Sequence, residues 1–459
     1  MPKPKQFLLF FLLFSLLLVG CSPEATLPTA LATLPQPTLP STPLPGEPTW
    51  TPSPQPINPT PTVNVAEPNP VQITELAHVQ VLRELVVAVK FQNILPDALL
   101  RDVNYEVLAL DDVGNRIAQE AGVIPFLIPQ QTMGLVRSFQ LQAGVQAETV
   151  EVRFSAGTQD RDLKLQSPFE VINPAFFVDL NGAVMTGWLQ NRDKQTYTEV
   201  EVNAIGYNAK GEIVGGGSIL TEFVPEKDRI GVSIPVTVSE APVLVEIYPW
   251  ISSYTASLEG GSWWKNIKVE DWDFIISEDG HVSGGAILTN VTDQVLTGTY
   301  YIVTVADAQD RVCAVSRGFI HMLLPGETLN FSPGILYPPT TAQAAKVDMI
   351  IVPGEFGEYP LAYNPLSITK STLLLEEGEA PVVRTQVLNN LNASLSGTLV
   401  TVVLKNELGR IVGGGQALTG PILAGSTLEV DVPVEFLGNP ENLTIAASVT
   451  LPTGVVIGE

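Results

Sequence analysis

The sequence predicts an all-β protein of four tandem, immunoglobulin-like antiparallel β-sandwich domains that follow a disordered tether rich in proline and threonine. Beyond residue 70, apolar and polar residues alternate with period two, and no stretch keeps a helical period over three turns. One stretch, clearest between Asn191 and Pro225, returns three more times, with turn-forming residues between the alternating runs. These observations indicate repeated units of about six or seven strands each.

The repeat is measured at a turn that begins with Asp or Asn. Its fourth position falls at 97-, 99- and 99-residue intervals, at Gly114, Gly211, Asp310 and Gly409. An Asx side chain caps such a turn and Gly accepts the positive φ of the fourth position, which Asp tolerates better than most residues. The spacing predicts four copies of one domain, at 71–168, 169–266, 267–365 and 366–459.

The strand before each turn has one apolar side. In the second repeat Glu199, Glu201 and Asn203 alternate with apolar residues, which predicts one face in the core and one in water. The aligned inward sets are Val103, Tyr105 and Val107; Val200, Val202 and Ala204; Tyr301, Val303 and Val305; and Val400, Val402 and Leu404. We expect each repeat to bury its own core, because roughly 100 residues suffice for one.

Residues 1–20 have the features of a signal peptide. Lys3 and Lys5 precede an apolar run from Phe7 to Val19, which is shorter than the roughly 20 residues that span a bilayer. The run ends in Leu-Val-Gly-Cys at Cys21 and resembles the bacterial lipobox. The resemblance implies a lipoprotein signal peptide, with a diacylglyceryl thioether on Cys21 and a protein anchored to the cell membrane on its extracytoplasmic side. An uncleaved anchor or an ordinary secretory signal is the alternative.

Residues 21–70 are predicted to form a disordered linker. Fifteen of the 49 residues from Ser22 to Pro70 are proline, which fixes φ and removes hydrogen-bond donors, so neither sheet nor helix is expected. Such a segment is a semi-rigid spacer that extends about 3.1 Å per residue. A role for the region around Trp50 as a ligand of an aromatic-lined groove is the alternative, and O-glycosylation stays open.

Charge and composition restrict the partners. Asp and Glu number 48 against 24 Lys and Arg, a net charge of −24 that repels nucleic-acid backbones. We therefore expect no nucleic acid. The expected partners are the membrane, through the N-terminal lipid, and an extracellular protein or glycan.

The residues that catalysis and metal binding require are scarce. The histidines are His78, His281 and His321, and neither a Gly-x-Ser-x-Gly nor a His-Glu-x-x-His motif occurs. Cys313 aligns with apolar strand positions, which predicts a buried, inert thiol; a reactive Cys–His pair in the third repeat is the alternative. We expect no enzyme, no catalytic residue, no cofactor and no metal.

Two further patterns have a structural and a functional interpretation. The runs 215–217 and 413–415 are triple glycines without the Gly-Lys-Ser/Thr of a phosphate loop, which predicts a bulge or a close backbone approach. Asp111-Asp112, and Asp307 with Asp310, predict ordinary Asx turns, with calcium binding as the alternative.

Aromatic residues supply the candidate binding site. Trp250, Trp263, Trp264 and Trp272 crowd the predicted junction of the second and third repeats. Exposed indoles stack on sugars or peptide side chains, and Trp263 and Trp264 are therefore the candidate ligand-binding residues. The alternative is that the indoles pack in the interface between neighbouring sandwiches and stabilise it.

A family resemblance rests on Gly187 to Asn191, on Tyr207 to Val214, and on the Leu-Leu-Pro-Gly-Glu-Thr segment 323–328. This order resembles the bacterial FxLYD-type domain over about 50 residues of each copy. The resemblance implies an immunoglobulin-like sandwich of secreted proteins and lipoproteins without catalytic activity. We expect a non-catalytic, surface-anchored lipoprotein that acts as an extracellular scaffold, adhesion or protein-interaction module. The alternative is a carbohydrate- or peptide-binding lipoprotein.

Overall fold

A computed structural model describes residues 69–163, 165–179, 182–259, 265–358 and 363–451, all within one compact unit, Glu67–Glu459. The predicted signal peptide, the tether up to residue 68, Cys21, Trp263 and Trp264 lie outside the described residues. The described part is built from antiparallel strands and their connecting loops, with short 3₁₀ turns such as Pro440–Asn442 and without an α-helix. This confirms the all-β class and the four tandem antiparallel sandwiches.

The first sandwich pairs a three-stranded sheet with a four-stranded one. Its strands are β1 (Val71–Val81), β2 (Glu84–Asn93), β3 (Leu99–Leu110), β4 (Arg116–Leu127), β5 (Thr132–Gln140), β6 (Thr149–Phe154) and β7 (Thr158–Asp160). The three-stranded sheet has the order β1-β2-β5, and the other has the order β4-β3-β6 with β7 beside β3.

The second sandwich repeats this plan and adds a two-stranded ribbon. Its strands are β8 (Phe169–Asp179), β9 (Gly182–Asn191), β10 (Gln195–Thr198), β11 (Val200–Tyr207), β12 (Ile213–Thr221), β13 (Arg229–Pro235), β14 (Thr237–Val238), β15 (Leu244–Trp250) and β16 (Ala256–Glu259). The sheet orders are β13-β9-β8 and β14-β12-β11-β15, and β10 pairs with β16.

The third and fourth sandwiches again combine three strands with four. The third contains β17 (Ile267–Ile276), β18 (Val282–Asn290), β19 (Val295–Asp307), β20 (Val312–Leu323), β21 (Thr328–Phe331), β22 (Ala344–Val352) and β23 (Glu355–Gly357). The fourth contains β24 (Leu366–Leu374), β25 (Val382–Asn389), β26 (Leu399–Lys405), β27 (Ile411–Leu418), β28 (Thr427–Pro433), β29 (Glu435–Phe436) and β30 (Thr444–Val449). The orders are β17-β18-β21 with β20-β19-β22, where β23 joins β19, and β24-β25-β28 with β29-β27-β26-β30.

The cores form from the residues that alternate inward. All four predicted inward sets are buried, and each lies in the apolar cluster of its own sandwich. Burial of such side chains on both inner faces is the main driving force for a sandwich. The sequence interpretation of the inward faces is confirmed.

One asparagine recurs in every sandwich and ties its loops together. Asn93, Asn191, Asn290 and Asn389 are each fully buried. The amide of Asn290 donates to the carbonyls of Gln294, Leu323 and Leu324 at 2.8, 3.0 and 3.1 Å, and its Oδ1 accepts from Thr292 N. Asn93 and Asn389 make the equivalent bonds, and Asn191 donates to the two carbonyls of Gln195 and Val224 and accepts from Asp193 N. A buried side-chain amide needs hydrogen-bond partners for its polar atoms. This asparagine, the most regular polar residue of the repeat, therefore has a structural role.

The turns follow the predicted chemistry. Oδ1 of Asn208 accepts from the backbone amides of Lys210 and Glu212, and the other three copies form the same bonds. The fourth residue has φ of +85°, +79°, +60° and +76° at Gly114, Gly211, Asp310 and Gly409. The triple glycines lie in β12 and β27, where a Cβ on Gly217 or Gly415 would collide with the carbonyl of Pro235 or Pro433, so the predicted close backbone approach is confirmed.

The sandwiches stack face to face. The three-stranded sheets of the first, second and third sandwiches each pack against the four-stranded sheet of the sandwich that follows. Asn203, Ile205 and Tyr207, on the outward side of β11, are consequently buried against the first sandwich. The expectation that this strand keeps one face in water was wrong, because the preceding sandwich covers that face.

The two outer faces of the stack carry charged and polar pairs. On the four-stranded sheet of the first sandwich, Gln119 Nε2 donates to Glu106 Oε1 at 2.7 Å. On the three-stranded sheet of the fourth, Arg384 makes two bonds to Asp431, at 2.7 and 2.8 Å. Glu106 stands eight residues before the turn glycine, where the second and fourth sandwiches have the buried Asn203 and Thr401. The outer faces therefore suit contact with water, and the inner ones suit burial.

Candidate functional site

The predicted aromatic cluster is only partly within the described residues. Trp263 and Trp264 lie outside them. Trp272 is 43% exposed on β17, with its ring centroid 6.2 Å from that of Phe274. Trp250 packs into the core cluster of the first sandwich, so its expected place at the second–third junction was wrong: the end of β15 faces the sandwich before it.

Trp250 instead lines a cleft of about 680 Å³ between the first and second sandwiches. This size lies within the range of small-ligand and peptide pockets. Most lining side chains are apolar or aromatic, and they include Phe126, Met133, Phe169, Tyr197, Pro249 and Trp250. Arg192, Asp193 and Gln166 supply polar groups. The lining comes from strands β4, β5, β8, β10 and β15 and from the loops beside them.

The indole nitrogen of Trp250 is an unusual feature of this cleft. Among the side chains of the described residues, three buried polar atoms have no hydrogen-bond partner: Glu75 Oε2, Trp250 Nε1 and Gln416 Oε1. Only the second belongs to a residue of the cleft. A buried N–H group without an acceptor costs about 1–3 kcal/mol relative to a bonded one. This nitrogen has less than 1 Å² of accessible surface and belongs to the packed interior beneath the cleft.

The rim of the cleft is polar. Tyr197 donates its hydroxyl to Asp193 Oδ2 at 2.6 Å, and this bond holds the pKa of Asp193 below its usual range. Burial and the neighbouring carboxylate raise the pKa of Tyr197, so the phenol remains a donor. Arg192 forms an ion pair with Glu170. The rim thus presents a carboxylate that accepts from Tyr197 and whose charge is balanced by Lys227 and Lys194.

Sequence reasoning missed this cleft because its lining is dispersed. Phe126, Phe169, Tyr197 and Trp250 are far apart in the chain, and each alone has the character of a core residue. One signal pointed towards it. β15 ends in the tryptophan Trp250, whereas the corresponding strands β6, β22 and β30 end in Phe154, Val352 and Val449.

A second cavity, of about 620 Å³, lies beside His281. His281 Nδ1 is 3.0 Å from Glu435 Oε2 of the fourth sandwich, and its ring meets that of Tyr337 edge-on at 4.7 Å. The imidazole therefore links the third sandwich to the fourth.

Cys313 lies inside the third core. Its thiol donates to the carbonyl of Val305, and burial raises its pKa to about 11. The predicted buried thiol is confirmed. The alternative pair of Cys313 with His281 has no geometric support, because the sulfur faces Val305 whereas His281 faces Glu435.

The carboxylates of Asp111 and Asp307 are engaged in the turns themselves. Asp307 accepts from the amides of Gln309 and Arg311 and pairs with the Arg311 guanidinium at 2.7 Å. In the part of the chain that the structure describes, no group of three or more His, Cys, Asp and Glu is arranged to hold a metal ion. The same residues include no helix long and apolar enough to cross a membrane.

Comparison with known proteins identifies no family. No protein-family model matches the sequence, and no curated protein matches it. Among solved structures, the native conformation of alpha-2-macroglobulin from E. coli is similar at 9% identity, with a TM-score of 0.11. The similarity covers 83% of this chain and 28% of that one, so the chain spans less than a third of the length of the protein it matches. A score this low carries no argument about function.

Proposed function

We propose that this chain is a non-catalytic, surface-anchored lipoprotein whose stacked sandwiches act as an extracytoplasmic scaffold, adhesion or protein-interaction module. The proposal rests on the three junctions between neighbouring sandwiches, each of which is joined by a side-chain hydrogen bond or ion pair. At the first, Arg137 bonds Glu201 at 2.7 Å; at the second, Arg229 bonds Asp310 at 2.8 Å. At the third, Ser283 donates to the carbonyl of Gly414 at 2.8 Å. Junctions joined by such bonds favour a stiff scaffold over independent domains on flexible linkers.

The junction polar groups also protect sheet edges. β5, β13 and β21 end their sheets, and an amide of each is bonded by a side chain of the next sandwich: Val136 N to Asn203, Gly231 N to Thr304 and Asn330 N to Ser448. Unpaired edge amides invite pairing with other chains, and here the neighbouring sandwich satisfies them. This arrangement favours a scaffold role for the stack, because buried polar groups hold neighbouring sandwiches together.

Anchoring is tested on the full-length chain in a bacterial host. The intact chain should incorporate labelled fatty acid and sediment with membranes, Cys21→Ser should do neither, and the matched Cys313→Ala variant should behave like the parent. Fatty acid incorporation by Cys21→Ser would contradict the lipid-anchor part of the proposal. Hydrolase turnover that disappears with His281→Ala or His321→Ala would contradict its non-catalytic part.

The alternative, a carbohydrate- or peptide-binding lipoprotein, gains one specific observation. The first and second sandwiches enclose a cleft of about 680 Å³ whose lining is mostly apolar and aromatic, and this size lies within the range of small-ligand and peptide pockets. The sequence-based candidates Trp263 and Trp264 are tested on a glycan array: the double change to alanine should abolish binding without altering thermal unfolding, whereas Trp272→Ala should have no effect. Equal glycan binding by the parent, the double variant and Trp272→Ala would exclude Trp263 and Trp264 as the binding residues.

A further inference from the structure

The three junctions between sandwiches differ in the type of cation that crosses them. The first two are crossed by ion pairs of arginine and lysine, among them those of Arg137 and Lys90 at the first and of Arg229 at the second. Among the described residues, the third junction is crossed by a single pair, in which His281 Nδ1 lies 3.0 Å from Glu435 Oε2. Guanidinium and ammonium groups keep their charge near neutral pH, whereas imidazole is the side chain that changes charge between pH 5 and 8.

The cavity beside the imidazole contains acidic groups. Glu278 and Asp279 lie at the tip of the hairpin between β17 and β18, and Asp179 at the end of β8 lines the same cavity of about 620 Å³. Tyr337 meets the imidazole ring edge-on. In the part of the chain that the structure describes, neither lysine nor arginine lines this cavity.

The strands packed against β18 bring no competing cation either. β27 of the fourth sandwich carries no titratable side chain, and the charged residue of β17 closest to the hairpin is Asp273, opposite Gly285. β29 contributes Glu435 itself, whose ion pair within the described residues is with His281. The charge state of His281 therefore decides whether this junction contains an ion pair or a neutral contact.

The other bonds across the third junction do not involve titratable groups. Gly414 N donates to Ser283 Oγ at 3.0 Å, and Asn330 N donates to Ser448 Oγ at 3.0 Å. A charge-assisted hydrogen bond is about twice as strong as a neutral one. The side chains of His281 and Glu435 are 36% and 22% exposed, so solvent screens part of the gain.

We propose that His281 makes the third junction pH-dependent: its protonation turns the contact with Glu435 into an ion pair that holds the fourth sandwich on the third, and its deprotonation loosens this junction alone. A histidine that gains an anionic partner on closure stabilises the closed junction while it is protonated, and the contribution is lost as the pH rises through the range 5 to 8.

The proposal adds regulation to the scaffold role above and rests on that role only for its setting. The pH dependence belongs to the sandwiches and needs no membrane. The unanchored variant Cys21→Ser should therefore show the same pH dependence as the parent, so a failure of the anchor is distinguishable from a failure of this inference.

Two backbone amides report the opening of two junctions directly. Gly414 N is bonded by Ser283 across the third junction, and Gly231 N is bonded by Thr304 Oγ1 across the second at 3.1 Å. Native-state hydrogen exchange at single-amide resolution gives their protection factors, in which the pH dependence of the chemical exchange step is divided out. In the full-length chain in detergent micelles, the Gly414 protection factor should fall about threefold between pH 5.5 and 8, and that of Gly231 should change by less than about 1.5-fold.

Three variants assign the effect to the pair. His281→Gln keeps a hydrogen-bonding side chain that does not titrate, and Glu435→Gln removes the counter-charge; each should abolish the pH dependence at Gly414. The matched control His321→Gln, on β20 of the same sandwich, should keep it. Constant protection of Gly414 in the parent, an equal fall at Gly231, or a fall that persists in both His281→Gln and Glu435→Gln would overturn the proposal.

Discussion

Asp310 replaces glycine at the fourth turn position, and its side chain latches the second sandwich to the third. The residue has φ of +60°, in the left-handed region. Its carboxylate accepts two bonds from Arg229, at 2.8 and 3.3 Å, and the guanidinium lies 3.9 Å above the ring of Trp188. Its carbonyl accepts from Trp188 Nε1 and from Asn173, both at 3.0 Å. Replacing Asp310 therefore changes the turn and the junction at once.

Replacement of Asp310 by glycine has two effects on the free energy of unfolding, relief of backbone strain and loss of the ion pair with Arg229. They have opposite signs and similar size. A non-glycine residue in the left-handed region costs about 1 kcal/mol, which Asp310→Gly would recover. The ion pair is partly exposed, with side-chain accessibilities of 34% for Arg229 and 27% for Asp310, so solvent screening limits its contribution to about 1 kcal/mol. We expect Asp310→Gly to be nearly neutral overall, and Asp310→Asn, which keeps tolerance of this φ, to weaken the junction by about 1 kcal/mol.

The coupling free energy between Arg229 and Asp310 should depend on pH. Hydrogen bonding from Arg229 lowers the pKa of Asp310 in the folded protein. A carboxylate with a lowered folded-state pKa stabilises the fold above its unfolded-state pKa, about 3.9, and this contribution is lost as the pH falls through the folded-state value. The coupling between Arg229 and Asp310 should be constant near neutral pH and decline below about pH 4.

The assay is a double-mutant cycle of Asp310→Asn and Arg229→Gln, read by native-state hydrogen exchange in β13 and β20. Exchange reports the local free energy of opening, which global unfolding of a multi-sandwich chain does not. The control cycle uses Arg384→Gln and Asp431→Asn, a bidentate pair on the outer face of the fourth sandwich, which should leave β13 and β20 unchanged. A coupling below about 0.3 kcal/mol at pH 7, or one that persists undiminished at pH 2.5, would refute the reasoning.

Three further predictions concern single positions. Asn389→Ala should destabilise the fourth sandwich by about 3 kcal/mol because several buried carbonyls lose their donor, whereas its exposed neighbour Asn390→Ala should cost about 1 kcal/mol or less in urea unfolding. Gly231→Ala should loosen the second–third junction by about 1–3 kcal/mol, because a Cβ there collides with Thr304, and Thr304→Ala should restore part of the loss in hydrogen exchange. Cys313, with its pKa raised to about 11, should resist iodoacetamide at pH 8 in a Cys21→Ser background until the chain is unfolded; labelling of the native protein would contradict its burial.

The interior of each sandwich could be predicted because its signals are local. Val200, Val202 and Ala204 alternate with polar residues, and a strand turns such alternation directly into an inside and an outside. The Asx turns are equally local, since Asn208 bonds amides two and four residues ahead. Even the positive φ of Asp310 follows from its alignment with three glycines.

The stacking was missed because polarity within one strand does not reveal what covers it. Glu201 and Asn203 were interpreted as a wet face, yet Glu201 bonds Arg137 and Asn203 caps Val136 N, both in the first sandwich. Ile205 and Tyr207, at the same side of the strand, were the overlooked apolar signal. Two polar residues next to two apolar ones on one strand face are typical of a junction, where apolar contact and edge-amide capping are both needed.

Differences between aligned copies are therefore more informative about junctions than the features the copies share. Eight residues before the turn, the chain has Glu106, Asn203, Ile302 and Thr401; the charged one faces outward and the uncharged ones are buried. Asp310, the exception among turn glycines, contacts the preceding sandwich for the same reason. A buried charge without a partner is costly, so a chain of near-identical units can place charge only where the unit has no neighbour or where a neighbour brings the counter-charge. By this logic Glu106→Thr should be tolerated at the outer face. Asn203→Glu should open the first junction, because it would bury a second carboxylate beside that of Glu201, to which the Asn203 amide now donates at 3.1 Å, and Arg137 is already paired with Glu201.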